Sequence, residues 1–544
     1  MMRITNSIIT ANTKANLNTN KVYADKLNTM TASGQKITRP SDDPVVAIRA
    51  MRLNTSLTEL EQYHGKNIPD ASAWFTDTET ALSQTDAVLS DIREKLNQAS
   101  SQENVSDNVK DILEELKQLK VQFYTIGNAD SAGRTVFTGY RTGEMLTFME
   151  DDKLLYNIDE KFKKEDLETF DYIKGTTTVD MHGKALEPDG TGAEKSDYTE
   201  TDVTSVKSYR LRLSYGNITD DIAEATAAGK KPRTAVSYVD AAGTSHDVEF
   251  EVVSITGKSQ EEIDKIYADP EKTYLIRETG ELVLNKDDYD NLIKAKDITV
   301  SYQKEQWQKG DPRPEHYFKC DTPVDENDPR TYSATYPNGI EYNYNRRDAL
   351  GNEVTQEADT DKVLGFIEQD LTYEISFNQS IQINTHANDV YSHDIGRDID
   401  ELITITEKVA ASETKIKYVQ DAIASETDPA KLEELNRNLA AVKKENTLYK
   451  ERMHEMYTAA ITSFKGYSDD INKQISNVGA LTARLEMTKN RVRDQKDNVK
   501  ILADENINAD LSETALDFKN AQLALEAAQM AAGKITKQTL LNYI

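Results

Sequence analysis

The sequence predicts a mainly α-helical protein with a β-rich insertion. Three observations carry this expectation: apolar residues spaced three and four apart near both ends, a helix-start signature at Asp43–Pro44, and short β-branched, Tyr-rich runs between about 149 and 370. The seams at both ends and the polar composition favour an extended molecule with coiled-coil helices. An inserted helical hairpin is expected after the β-rich insertion.

The first helix is expected to end at a joint. In Ser33 to Leu53, "SGQKITRPSDDPVVAIRAMRL", Asp43 suits an N-cap and Pro44 a first helical residue, where no N–H is missed. Asp42 adds negative charge near the positive end of the helix dipole, and Arg39 and Pro40 stiffen the approach. Arg39, Pro40, Ser41, Asp42, Asp43 and Pro44 are therefore read as a structural joint that fixes the angle between two helices.

Beyond the joint, Val46, Leu53 and Leu60 repeat every seven residues, and Asn67 would be the next member. The following seam is Ala71, Phe75, Thr78, Leu82, Thr85, Leu89, Ile92, Leu96 and Ala99, a register that puts Ile68 in that place. This one-residue shift coincides with Gly65 and Pro69 and predicts a kink or short break. Val109, Ile112, Leu116, Leu119, Phe123 and Ile126 mark a third helix.

From Met149 to about Asp370 the period changes. "SYRLRLSYGN", "TYLIRETGELVLN" and "ITVSYQKEQW" read as strands, with turns at Ala242-Gly243 and Thr279-Gly280. Seams at Leu402, Ile405, Val409, Ile416, Val419 and Ile423, and again from Leu432 to Met456, flank a turn at Pro429 and read as an antiparallel hairpin. Val478, Leu481, Leu485, Thr488, Val492, Gln495, Val499 and Leu502 form a last seam. An Ala-rich terminal helix follows, with its cap region at Asp510/Ser512.

Composition narrows the function classes. The chain has 544 residues, of which 38% are hydrophobic and 29% charged, a polar balance that favours two or three domains and an extended molecule. Net charge is −29, but residues 1–60 hold eight basic against four acidic residues and residues 484–544 hold nine of each, so the acid lies in the middle. Nucleic acid is an unexpected partner for such a chain. With Cys320 as its single cysteine the chain cannot form an internal disulfide. No apolar run reaches the ~20 residues of a membrane span, and the polar opening does not resemble a cleavable signal.

No catalytic, cofactor or metal site is expected. His454 and Glu455 begin a zinc-protease-like "HEMYT", but Thr458 stands where the second histidine is required. His386 and His393 are seven apart, which on a helix is about 10 Å of rise, too far for one metal ion. "SITGKS" ends like a phosphate loop, yet Val252 occupies the first glycine position and a β-turn is the better reading. Trp307, Tyr332, Tyr336, Tyr342 and Tyr344 could line a glycan-binding face, although surface tyrosines on strands are the commoner explanation.

Four stretches carry a family resemblance: "TASGQKITRPSDDPVVAIRAMRL", "ASAWFTDTETALSQTDAVLSDIRE", "GRTVFTGYRT" at Gly133–Thr142, and the closing "KQTLLNYI". They resemble the hook-filament junction proteins of bacterial flagella, the hook-associated protein 3 family, which are relatives of flagellin. The Pro-Ser-Asp-Asp-Pro element is the most specific part. Flagellins usually show a proline-free sequence there and lack the Gly-Arg-x-x-Phe-x-Gly-Tyr element. The resemblance covers roughly 1–148, more weakly 371–405, and 466–544, leaving the β-rich module and the hairpin unaccounted for. Pro69 departs from the family's pattern.

The resemblance implies a flagellin-like elongated rod of paired N- and C-terminal helices, a coiled-coil bundle carrying an outward β-rich domain, together with export without a cleavable signal to the extracellular flagellum and a structural adaptor role joining hook to filament. It implies self-association in a tube, an adjacent hook-associated protein and flagellin as partners, an export chaperone, and terminal segments that stay unstructured until assembly. Leu540, Leu541, Tyr543 and Ile544 are then expected subunit contacts, and the joint is structural. The alternatives are a flagellin-type filament subunit and a surface adhesin-like module carried on a flagellar rod. The expected segments are 1–43 (assembly helix and joint), 44–148 (rod helices), 149–370 (β-rich outer domain), 371–465 (return to the rod with the hairpin), 466–505 (rod helix) and 506–544 (assembly helix).

Overall fold

Helix α1, Asn6–Ser33, is rich in Thr and Asn, which are weak helix formers. Its threonines satisfy themselves within the helix: Thr13, Thr19, Thr29 and Thr31 each donate to the carbonyl four residues earlier. The helix stops at Gly34, whose φ of +69° and N–H bond to Met30 O form a left-handed C-cap. The computed structural model describes residues 6–101, 106–220, 234–268, 270–319, 323–325, 328–332, 340–342 and 370–537.

The chain forms two compact units. One, the terminal unit, comprises Met1–Ser72, Tyr373–Ile381 and Thr482–Ile544; the central unit comprises Ala73–Thr372 and Gln382–Leu481. In the terminal unit, α2 (Pro44–Gln62) runs into a π-helical turn, Tyr63–Asn67, and on into α3 (Ile68–Ser101). The Ile68 N–H bonds to Tyr63 O five residues back. The expected break is thus corrected: the one-residue shift is absorbed by a single wide turn, and the helical ladder continues through it. Pro69 follows directly, where its missing N–H falls next to a ladder already out of phase.

Seam burial in α3 follows the periodicity closely. Ala71, Phe75, Thr78, Leu82, Thr85, Leu89, Ile92 and Leu96 are all buried, and the Thr78 and Thr85 hydroxyls donate to the carbonyls of Trp74 and Ala81. Helix α4, Ser106–Ile126, buries Leu113, Leu116, Leu119 and Phe123.

The sheets of the central unit lie between α4 and the later helices in sequence. Strands β1 (Asp130–Ser131) and β2 (Arg134–Thr135) make a small hairpin. Strands β4 (Leu167–Lys174), β5 (Thr204–Arg212), β8 (Phe250–Val253), β9 (Thr273–Ile276) and β10 (Glu281–Leu284) form a sheet of order β4-β5-β10-β9-β8, antiparallel except for β8 and β9. A second sheet centres on β3 (Asp152–Phe162) and β11 (Asp297–Trp307), paired antiparallel, with Ala235–Val239 and Ser245–Asp247 continuing one side. Short helices α5 (Gln260–Ala268) and α6 (Lys286–Leu292) complete this region.

Helices α7 (His393–Ser425) and α8 (Pro429–Ile507) follow. Hydroxyls of Thr406 and Tyr457 meet at 2.5 Å, Asn446 Nδ2 donates to Ser412 Oγ at 2.8 Å, and Lys415 Nζ lies 2.7 Å from Glu445 Oε1, so α7 and the first half of α8 run antiparallel. Helix α8 is one continuous helix of 79 residues, so the expected boundary at 465/466 falls inside it. The tightest approach is at Gly396, where a Cβ would stand 1.9 Å from Tyr124 Oη, letting α4 and α7 close on each other.

The β region packs onto these helices. Lys415 and Lys444 donate to the carbonyls of Thr177 and Glu200, Asn438 to that of Gly183, and a Cβ on Gly183 would collide with Ala422 and Leu435. Arg210 on β5 is buried among Glu168 (2.8 Å), Glu281 (2.6 Å) and Glu401 of α7, while Arg212 meets Glu168 (2.6 Å) and Asp398 (3.0 Å). Burial opposes charge on Arg210, yet Glu401, Glu281 and Glu168 outweigh it and raise its pKa.

Candidate functional site

The joint is built from two linkers that pair. Lys36 N–H donates to Ile507 O at 2.7 Å, Ala509 N–H donates to Gly34 O at 2.9 Å, and Gln35 and Asn508 face each other as an antiparallel bridge. Each linker ends in an aspartate that caps the next helix. Asp43 Oδ1 accepts from the Val45 and Val46 N–H groups at 3.0 and 3.1 Å. Asp510 Oδ1 accepts from Ser512 and Glu513 at 2.9 and 3.1 Å, opening α9, Leu511–Lys537.

Asp42 differs from its expected role. Its carboxylate turns back, accepting from Arg39 N–H at 2.9 Å and Thr38 N–H at 3.1 Å, and those backbone donors hold its pKa below the usual carboxylate value. It closes the turn before α2 and leaves the helix end to Asp43. Arg39, Pro40, Ser41 and Pro44 are exposed. Leu540, Leu541, Tyr543 and Ile544 lie outside the described residues, as do Cys320, Tyr336 and Tyr344.

Helices α1 and α9 pack on each other. Ala24, Leu27 and Ala521 are buried, with Met30, Phe518 and Leu525 half-buried around them. The terminal segments therefore take helical form here, where the resemblance implied unstructured ends, because two helices together bury what one alone cannot. The contact is thin, and Val22, Tyr23, Leu511, Leu516, Leu523 and Met530 remain exposed.

A hairpin of β16 (Thr372–Ser376) and β17 (Gln379–Gln382) braces the π-helical turn. The rings of Tyr63 and Phe377 meet edge to face at 5.7 Å, Asn67 Nδ2 donates to Glu374 O at 2.7 Å, and Arg491 of α8 reaches Gln379. The brace joins segments far apart in sequence.

The residues weighed for enzyme chemistry are placed apart. His454 is exposed on α8, and Thr458 donates to its carbonyl. His386 contacts Asp370 at 3.3 Å, and "SITGKS" turns at Gly257 with Lys258 N–H bonded to Ile255 O. Among the described residues no group of three or more His, Cys, Asp or Glu could hold a metal ion, and no helix is long and apolar enough to cross a membrane. Trp307, weighed as part of a glycan-binding face, is buried against Phe148 at 5.0 Å and Tyr215 at 5.1 Å.

His393 is also buried, its ring 4.4 Å from that of Tyr317 and 4.8 Å from that of Tyr215. Burial first, then the nearby Arg397 charge, lowers its pKa from 6.5 to about 3. The unfolded chain therefore binds the extra proton between those values, and stability falls as the pH falls through that window. Between about pH 6.5 and about pH 4.5 this group alone removes roughly 2 kcal/mol. The expected result is that His393→Phe loses less stability to acid than the parent does. Urea midpoints on both sides of the window measure it, and equal acid slopes would show that His393 does not carry the effect.

Residues 4–142, which include α1, the first linker, α2, the π turn and α3, match the family described as the bacterial flagellin N-terminal helical region. More particularly, the chain is similar to flagellar hook-associated protein 3 of Salmonella typhimurium, with 25% identity over 142 residues, 26% of this chain and 44% of the relative. To the Escherichia coli protein of the same name it is 25% identical over 178 residues, 32% of this chain and 54% of the relative. The chain thus spans about half the length of the curated relatives it matches. The crystal structure of hook associated protein-3 from Legionella pneumophila aligns with a TM-score of 0.28 at 11% identity, covering 84% of this chain and 98% of that one.

Proposed function

We propose that this chain is a structural subunit of the bacterial flagellum that joins hook to filament, assembling through its terminal unit. One observation carries the assembly reading. Of the 22 large apolar side chains exposed among the described residues, 15 belong to the terminal unit, which holds 132 of the 475 described residues. Single exposed apolar residues are ordinary, but this concentration on paired helices marks a surface built to be covered. The similarity to flagellar hook-associated protein 3 supports the flagellum as the place of assembly, and the hook-filament junction is the position this reading assigns within it.

In this reading 1–43 and 506–544 are the assembly helices, 44–148 and 466–505 belong to a coiled-coil rod, and Arg39 to Pro44 set the angle between them. The partners are other copies of this chain, an adjacent hook-associated protein, flagellin, and a chaperone during export to the cell exterior. The acidic central unit stays solvated and keeps neighbouring assemblies apart.

Electron microscopy with a specific label tests the place: a single band at the filament base is expected, and label along the whole filament would favour a filament subunit instead. Leu540→Asp with Leu541→Asp tests the contact. A carboxylate entering an apolar interface must lose its water or take up a proton, at a cost of several kcal/mol, so filaments are expected to detach while secretion, which does not use this contact, continues. Normal filament attachment in this double variant would remove Leu540 and Leu541 from the interface.

A further inference from the structure

Two outward faces of the terminal unit share apolar character and differ in charge. On α2, Val45, Ile48 and Met51 are 54–76% exposed, flanked by exposed Arg49 and Arg52, with no acidic residue between Pro44 and Thr58. On α8, exposed Ile501 and Met487 lie on one helical side with Asp494, Asp497, Asp504 and Glu505. Arg493 stands at the edge of that side, 3.3 Å from Asp494, and Arg491, four residues after Met487, is turned to Gln379.

The inner faces of the two helices turn toward each other. Asn506 Nδ2 donates to Val46 O at 3.1 Å, and Ala47, Ala50, Val492 and Ala503 are buried. The outward faces therefore point to opposite sides of the helix pair.

We propose that the outward face of α2 in one copy docks on the outward face of α8 in the next. Apolar side chains meet apolar side chains, and Arg49 and Arg52 meet the carboxylates of Asp494 and Asp497. A two-fold contact would set arginine against arginine or carboxylate against carboxylate, so the contact is head-to-tail and propagates into a ring or tube. The terminal unit, with 18 basic and 16 acidic residues, is balanced enough for its own faces to complement one another, whereas the rest of the chain carries −31. This inference rests on the assembly reading above and names the partner surface within it.

Charge exchange in the full chain tests it. Arg49→Glu with Arg52→Glu, and separately Asp494→Lys with Asp497→Lys, should each reduce filament retention by about tenfold or more at normal secretion. The four changes together should restore retention. A combined variant as defective as either parent, while the label still marks the filament base, overturns this pairing and leaves the junction reading standing. Label absent from the flagellum in the unaltered strain overturns both. Should a charge variant fail to fold by circular dichroism, Ile48→Cys with Ile501→Cys in a Cys320→Ser background gives the second measurement. Disulfide-linked multimers in isolated flagella support the contact, and monomers alone overturn it.

Discussion

Arg210→Ala is expected to destabilise the central unit by about 3–5 kcal/mol. Arg210 is 6% exposed and neutralises Glu168, Glu281 and Glu401, drawn from two strands and α7. Without it Arg212 is left with Glu168, Asp398 and Glu401, with the Lys408 charge acting on Glu401 and Glu281, and burial already raises the Asp398 pKa against the pull of Arg212. The orphaned carboxylates would take up protons more readily in the folded variant, so the deficit should shrink as pH falls. Urea unfolding followed by circular dichroism at neutral and acidic pH measures both effects. A neutral-pH loss below about 1 kcal/mol would mean that solvent screens the cluster as it does a surface ion pair.

Replacing residues 155–365 with a short Gly/Ser linker is the second change with a large expected effect. From sequence, the β-rich segment read as an outward domain whose loss would leave the helices working. In the structure the α7–α8 pair is one wall of that region. Removal would uncover Val419 and Leu435, leave Asp398 and Glu401 without Arg210 and Arg212, and strip Lys415 and Asn438 of backbone partners. The summed loss is on the order of 5 kcal/mol or more, enough to abolish a cooperative melt of 393–465. Thermal circular dichroism and limited proteolysis of the shortened chain measure this. A sharp melt with 393–465 protected would show that the helices fold without the sheets.

What the sequence by itself determined are features whose cause is local. The Asp43 cap needs only an aspartate before a proline-led helix, and it forms as read. The α3 seam is buried at each described position because a repeat of 3.5 residues keeps one stripe facing inward. The shift between Leu60 and Ile68 was legible too, but a π turn and a break share that signature. Only backbone hydrogen bonding separates them.

Tertiary structure alone decided whatever depends on residues distant in the chain. In α8, Gln495 and Leu502 were expected inside, yet both are exposed while Ala503 and Asn506 are buried. A straight helix drifts against a strict heptad, and the neighbour selects which stripe is covered. Nothing near Gln35 announces its pairing with Asn508, because a backbone bridge leaves no mark in side-chain type. Trp307, weighed for a glycan-binding face, and His393, weighed only as a metal ligand, are both buried, since polarity and aromatic content do not reveal which face of a strand or helix end meets another element. Arg210 and Arg212 looked like ordinary charges on a Tyr-rich strand. Their role exists only because folding brings Glu168, Glu281, Asp398 and Glu401 within reach, where low dielectric makes pairing obligatory.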